Sequence, residues 1–277
     1  MHVVQQGSTI VTDQNHYVES LEIPDLSAFE GDDIDAELNE EGQAEFRSAV
    51  GRIGWVANAS RPDLAYDNLV LSMKLGNASL RDMKTAVKIM KKMKCEDTSM
   101  KFVDLGSMAD WMIEGYGDAG FRSLPDKTSS CGGYVVLITN KKIGVSSVLN
   151  WKANKIKRVV GSSTAAEALA ANDTLDEMIY VKFVLKELLG DVVDGIPLHL
   201  ITDSKNLHKS IESSTLAENP RLRTDIAKIK ESLREKELKD FSRVVGSNMI
   251  ADVLTKKGAP GVMLMNLLRS GKAIMDA

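Results

Sequence analysis

Cysteine is nearly missing from this chain. Cys95 and Cys131 are the only two in 277 residues, and they fit no metal or redox spacing. A reducing compartment is therefore the default. No apolar run approaches the roughly 20 residues that a membrane span needs, so no membrane partner is expected. The opening residues, MHVVQQGSTIVTDQ, have neither the basic start nor the apolar core of a signal peptide. Intracellular residence, cytoplasmic or nuclear, is the expectation. Lys and Arg are absent from the first 46 residues, which hold 12 acids, so that segment is not expected to touch phosphates.

What is present describes an ordinary globular protein, with 43% hydrophobic and 27% charged residues. The length suits one large domain or two modest ones. Charge divides unevenly: residues 1–100 carry −7 and residues 101–277 carry +3, for a total of −4. The overall acidity thus does not argue against a nucleic-acid partner for the second part.

Residues 2–12 read as a hairpin around Gly7, and residues 24–44 as an acidic, periodless linker. Helices are expected from Glu45 to about Asn58, after Ser60-Arg61-Pro62-Asp63 with Ser60 as cap, and from Ser79 to Lys94. In the last of these, Met83, Val87, Met90 and Met93 form one stripe, which points to core packing. From about residue 107 the pattern becomes mixed. Met108 to Tyr116 reads as a strand ending in Gly-Asp-Ala-Gly, followed by strands CGGYVVLIT and KIGVSSVLNW. A long helix is expected over residues 163–189, a buried strand over Pro197–Thr202, and a helix through Ile211. Asn219 to Lys239 reads as helix, DFSRVV as a last strand, and Ser247 onward as a terminal helix. Three antiparallel strands, a helix, a strand, helices and a final strand make a layered α/β domain.

Within that frame four acids stand at element ends: Asp118, Glu167, Asp203 and Asp252. Each also admits a local role. Asp118 suits a turn, Asp203 a helix cap, and Asp252 the first turns of a helix. Glu167 lies in SSTAAEALAA, where Thr164 three residues earlier fits a capping box. Taken together the local roles weaken, because a central strand pair would bring all four acids to one edge. Clustered carboxylates repel one another unless cations fill the cluster. An all-oxygen set without His or Cys favours Mg²⁺ or Mn²⁺ over zinc. Two such ions can activate a water and stabilise the leaving oxygen in phosphodiester hydrolysis. The small residues around Glu167 would then admit a sugar-phosphate backbone.

Residues 107–258 resemble the ribonuclease H domain of a retroelement Pol polyprotein, with copia-type LTR retrotransposons the nearest pattern. The motifs are GYGDAGF, TSSCGGYVV with Trp151-Lys152, SSTAAEALA, ITDSKNL and IADVLTK, five in order over about 150 residues. The resemblance implies a ribonuclease H-like mixed sheet, three antiparallel strands then parallel ones, flanked by helices. It implies catalytic and metal-binding roles for Asp118, Glu167, Asp203 and Asp252, two Mg²⁺ ions (Mn²⁺ also suits the set), and hydrolysis of the RNA strand of an RNA–DNA hybrid.

Upstream, FRSAVGRIGWVANASRPDLAYDNLVLS resembles the segment after the reverse transcriptase palm in the same elements. The polymerase motif Tyr-x-Asp-Asp is missing: Asp32-Asp33 falls in the linker and Tyr66-Asp67-Asn68 in an expected helix. The reading is a thumb/connection-like segment over residues 1–100, small and mostly helical, joined to a ribonuclease H-like domain over 101–277. It would not synthesise DNA alone, and the palm and fingers are the partner it implies. Two departures bear on efficiency. No His follows His208, and the pattern's histidines near Arg223–Asp225 are absent.

An A-form-like hybrid is read through its backbone and 2′-OH groups. Lys152, Lys155, Lys157 and Arg158 are candidates to grip phosphates, with a solvated charged loop as the plain alternative. The resemblance adds Ser129, Ser130 and Asn206 as sugar contacts. A catalytically inactive nucleic-acid-binding remnant is the rival reading. A transposase or integrase of the same fold is disfavoured, because three acids would leave IADVLTK unexplained.

Overall fold

The computed structural model describes residues 1–27, 33–214 and 217–272. The first 27 residues supply strands β1 (His2–Gln6) and β2 (Thr9–Asp13) and helix α1 (Asn15–Ser20). Gly7, with φ +63°, makes the turn between the two strands, as its place in the sequence leads one to expect. Helix α2 (Glu40–Ala59) begins five residues before the expected start, because Asn39 caps it by accepting from the Gly42 amide. Part of the expected linker is therefore helix, and residues 28–32 of it lie outside the described residues.

Ser60 does not cap the next helix. It ends α2, and its hydroxyl donates to Gln14. A 3-10 turn over Pro62–Leu64 leads instead into α3 (Ala65–Ser72). Helix α4 (Leu80–Cys95) starts at a capping box between Ser79 and Asp82. Its Met83, Met90 and Met93 are fully buried against Phe46, Val50, Ile53 and Val56 of α2, so the methionine stripe is core. Strand β3 (Met100–Phe102), which alternation did not reveal, pairs antiparallel with β2 and closes a three-stranded sheet.

The larger sheet is built from β4 (Met112–Gly120), β5 (Cys131–Asn140), β6 (Val145–Lys155), β7 (Leu198–Thr202) and β8 (Asp240–Arg243). Its order is β6-β5-β4-β7-β8, antiparallel from β4 to β6 and parallel among β4, β7 and β8. This is the ribonuclease H-like arrangement that the resemblance implies. Helices α5 (Ser163–Leu189), α6 (Lys205–Glu212) and α7 (Pro220–Arg234) cover one face, with Leu175 and Met178 of α5 packed on Ile113, Val136 and Leu200. The other face packs Tyr116, Val135 and Trp151 against Ile250–Leu254 and α8 (Val262–Ser270).

Several boundaries differ from expectation: Met108–Asp110 is a 3-10 turn and the strand expected there starts at Met112, β6 runs on to Lys155, and β8 stops at Arg243. Strand β4 continues through Gly117-Asp118-Ala119-Gly120, so Asp118 is a strand residue and not a turn residue. Helix α7 ends at Arg234, where Lys236 takes φ +63°. The segment after Ser247 is a pair of 3-10 turns, Gly246–Asn248 and Ile250–Leu254, and the α-helix waits until Val262. Trp151 joins the two halves of the chain, donating its indole N–H to the Ala57 carbonyl at the end of α2.

Candidate metal centre

Strand alternation sets the first carboxylate. Ile113, Gly115, Gly117 and Ala119 face α5, while Tyr116, Asp118 and Gly120 face the 3-10 segment. Asp118 is completely buried there. Its cross-strand partner is Gly133, whose bare Cα leaves room for Leu254 and Thr255. Strands β4 and β7 run parallel and pair up to Tyr116 and Ile201. Continued two residues, that register brings Asp118 opposite Asp203, just past the carboxyl end of β7. Helix α6 is capped by Ser204, which accepts from Leu207, so Asp203 has no capping role.

Glu167 arrives from α5. The cap of α5 is Ser162, which accepts from the Ala165 amide, so the Thr164–Glu167 capping box does not form. Glu167 sits in the second turn, and one oxygen each from Asp118, Glu167 and Asp203 lie within 4.8 Å of one another. Ala166, Ala168, Ala170 and Ala171 are buried against the sheet and its neighbours. They let α5 lie close on the glycines of β4.

Asp252 stands beside this trio and not within it. Its Oδ1 accepts from Lys256 Nζ at 2.5 Å, and the same ammonium lies 3.4 Å from Asp118 Oδ1. Thr255, also fully buried, donates its hydroxyl to Asp118 Oδ2. Thr255 and Lys256 were visible only as part of IADVLTK, and nothing in their spacing shows that both turn toward residue 118.

The electrostatics follow from crowding. Burial first, then the charges of Asp118 and Asp203, push Glu167 up to about 9. Burial and Asp118 raise Asp203 as well. Asp252 is raised by burial despite its bond from Lys256. Burial acts to lower Lys256, but Asp118 and the hydrogen bond to Asp252 outweigh it and hold the ammonium well above its ordinary value. Glu167 Oε2 is shielded from solvent and has no hydrogen-bond partner. A converging all-carboxylate set with an unpartnered buried oxygen fits a hard divalent cation.

The candidate nucleic-acid residues scatter in role. Lys152 and Lys157 are exposed. Lys155 lies 3.4 Å from Asp126, and Arg158 is paired with the nearly buried Asp225 of α7. Ser129 bonds to Asp126 through both its amide and its hydroxyl. Ser130 is buried and accepts from the Arg122 amide. Asn206 is exposed on the first turn of α6.

No protein-family model matches the chain. Among curated proteins it is similar to the retrovirus-related Pol polyprotein from transposon TNT 1-94 of Nicotiana tabacum, 29% identical over 143 residues. That match covers 52% of this chain and 10% of the Pol protein. A transposon Ty5-1 protein of Saccharomyces cerevisiae is 27% identical over 134 residues, covering 48% of this chain and 41% of that one. The chain thus spans less than half the length of either relative. Among solved structures, ribonuclease H1 from the archaeon Halobacterium salinarum NRC-1 matches 52% of this chain and 94% of its own, at 17% identity and a TM-score of 0.37. Over about half its length, then, the chain is similar in sequence to retrotransposon Pol proteins, and its sheet has a ribonuclease H-like strand order.

Proposed function

We propose that the chain is a metal-dependent endoribonuclease that hydrolyses the RNA strand of RNA–DNA hybrids, as part of a retrotransposon Pol protein. The observation that carries this reading is the convergence of Asp118, Glu167 and Asp203 at the carboxyl ends of two parallel strands. Asp118, Glu167, Asp203 and Asp252 are its proposed catalytic and metal-holding residues, with two Mg²⁺ or Mn²⁺ ions as cofactor. Bound divalent cations would supply a water nucleophile at neutral pH and stabilise charge on the leaving 3′ oxygen.

The residues supply placement. Asp118 is fixed by a central strand and by Thr255, so its carboxylate has little freedom to turn. Asp203 is held by the start of a helix, and Glu167 by a helix clamped to the same strand. Phosphates would be gripped by Lys152 and Lys157, with Lys155, Arg158, Ser129, Ser130 and Asn206 as further proposed contacts. The division into a reverse transcriptase thumb/connection-like part over 1–100 and a ribonuclease H-like part over 101–277 belongs to the same proposal. So does the palm of the polymerase as partner.

The test is cleavage of a labelled hybrid with Mg²⁺ or Mn²⁺ by the parent chain, Asp118→Asn and Glu167→Gln. Metal-dependent cutting of the RNA strand, at least about 100-fold weaker in both variants, is expected. Hybrid binding without any cutting by the parent would favour the inactive remnant instead.

A further inference from the structure

Four carboxylates share this corner of the fold with the ammonium of Lys256. Lys256 Nζ lies 2.5 Å from Asp252 Oδ1 and 3.4 Å from Asp118 Oδ1, between the 3-10 segment and strand β4. Its charge is also felt at Glu167 and Asp203. The oxygens it lies against belong to two of the carboxylates that would hold a divalent cation. An ammonium and a divalent cation cannot share them, because like charges at that separation repel strongly. The lysine also has a way out. Its side chain is 41% exposed, whereas Asp118 beneath it is fully buried. Four methylenes on a residue just past the 3-10 segment let the charged end swing toward solvent while the stem stays in place.

We propose that Lys256 is a built-in competitor for the second divalent cation: its ammonium holds the position between Asp118 and Asp252, and must leave as that ion enters. It is a positioning residue in this role, since it keeps Asp118 and Asp252 together and paired until the cation replaces it. The inference rests on the reading of this cluster as a divalent-cation site. It makes affinity for the ion lower than the four acids alone would give, and couples occupancy to movement of one side chain.

Mn²⁺ binding to the full chain, measured by titration calorimetry or by the resonance signal of free Mn²⁺, tests this without any turnover. Lys256→Met, which keeps the stem and removes the charge, is expected to bind Mn²⁺ at least about tenfold more tightly than the parent. Lys257→Met removes the same charge from the exposed neighbouring position and is expected to bind as the parent does. Lys256→Arg retains a cation and is expected to stay near the parent value. The rise in Tm on saturation with Mn²⁺ is expected to be larger for Lys256→Met than for the parent. A purely structural lysine would give weaker binding on removal, so equal or weaker affinity in Lys256→Met would overturn the inference while leaving the metal site standing. If neither the parent nor Lys256→Met binds Mn²⁺, the metal reading fails and this inference with it. Should Lys256→Met not fold, Lys256→Gln, still able to donate to Asp252, serves the same comparison.

Discussion

Gly117 of β4 lies so close under α5 that a Cβ added to it would collide with the Thr174 hydroxyl and stand 3.4 Å from the Ala171 Cα. Thr174 is itself tied back to the Ala170 carbonyl, so it cannot simply turn away. This near-contact between a bare strand residue and a small-residue helix sets the height of α5 above the sheet. Glu167, two turns earlier on that helix, takes its distance from Asp118 from it.

Gly117→Ala should therefore act on the site more than on the fold. Overpacking of this kind costs about 1–3 kcal/mol. The lifted helix should also weaken Mn²⁺ binding by about 10- to 100-fold. Urea unfolding and metal titration on the same sample separate the two effects. A variant that loses stability but keeps the parent's metal affinity would show that α5 height does not govern the cluster.

Stability should depend on pH through Glu167. Its folded value is about 9 against an ordinary 4.5, so near neutrality the folded chain retains a proton that the unfolded chain releases. The stability this group contributes is fully present below pH 4.5 and is lost as pH rises toward 9. In chelator-treated protein the loss should be on the order of a few kcal/mol across that window. Glu167→Gln, which cannot ionise, should flatten it. Parallel stability–pH curves for the parent and Glu167→Gln would rule this out. Because cation binding must displace the same proton, Mn²⁺ affinity of the parent should rise with pH over this range.

The Trp151 indole bonded to Ala57 predicts coupled unfolding of the two halves. Trp151→Phe keeps most of the ring but leaves a carbonyl at the end of α2 without its donor. A cost of about 1–3 kcal/mol is expected. Near-UV signals from the sheet and far-UV signals from the helices should still melt together. Two separate transitions in the parent would contradict this.

Among the candidate phosphate contacts, exposure separates two kinds of residue. Lys152→Ala and Lys157→Ala should each weaken hybrid binding and lower the salt-dependence slope by about 1. Arg158→Ala should instead destabilise the fold by about 1–3 kcal/mol, since its partner Asp225 is almost buried. Binding isotherms at several salt concentrations, beside thermal melts, distinguish the two outcomes.

Period and punctuation made most elements legible. The hairpin at Gly7, the methionine stripe of α4 and the full extent of α5 were all readable, because alternation, helical spacing and turn residues are local signals. The misreadings have local causes as well. Gly-Asp-Ala-Gly looks like a turn, yet it is the end of a central strand whose glycines make room for α5 and Thr255. Thr164-x-x-Glu167 looks like a capping box, yet Ser162, two residues earlier, takes the cap. Ser247 onward has helical composition, but close packing of Leu254 on Gly133 goes with a tighter 3-10 winding.

By itself the sequence determined which residues carry charge into an apolar setting: four acids at the ends of consecutive elements, an all-oxygen set, and a lysine four places after the last acid. Those are statements about order along the chain, and side-chain chemistry fixes them. Only the tertiary structure decided which of them meet. The parallel register of β4 and β7 sets Asp118 opposite Asp203, and glycine–alanine packing lowers Glu167 onto them. The 3-10 turns aim Thr255 and Lys256 at Asp118 while leaving Asp252 at the margin. Register and close packing depend on residues far apart in the chain, so no local pattern could have carried that information.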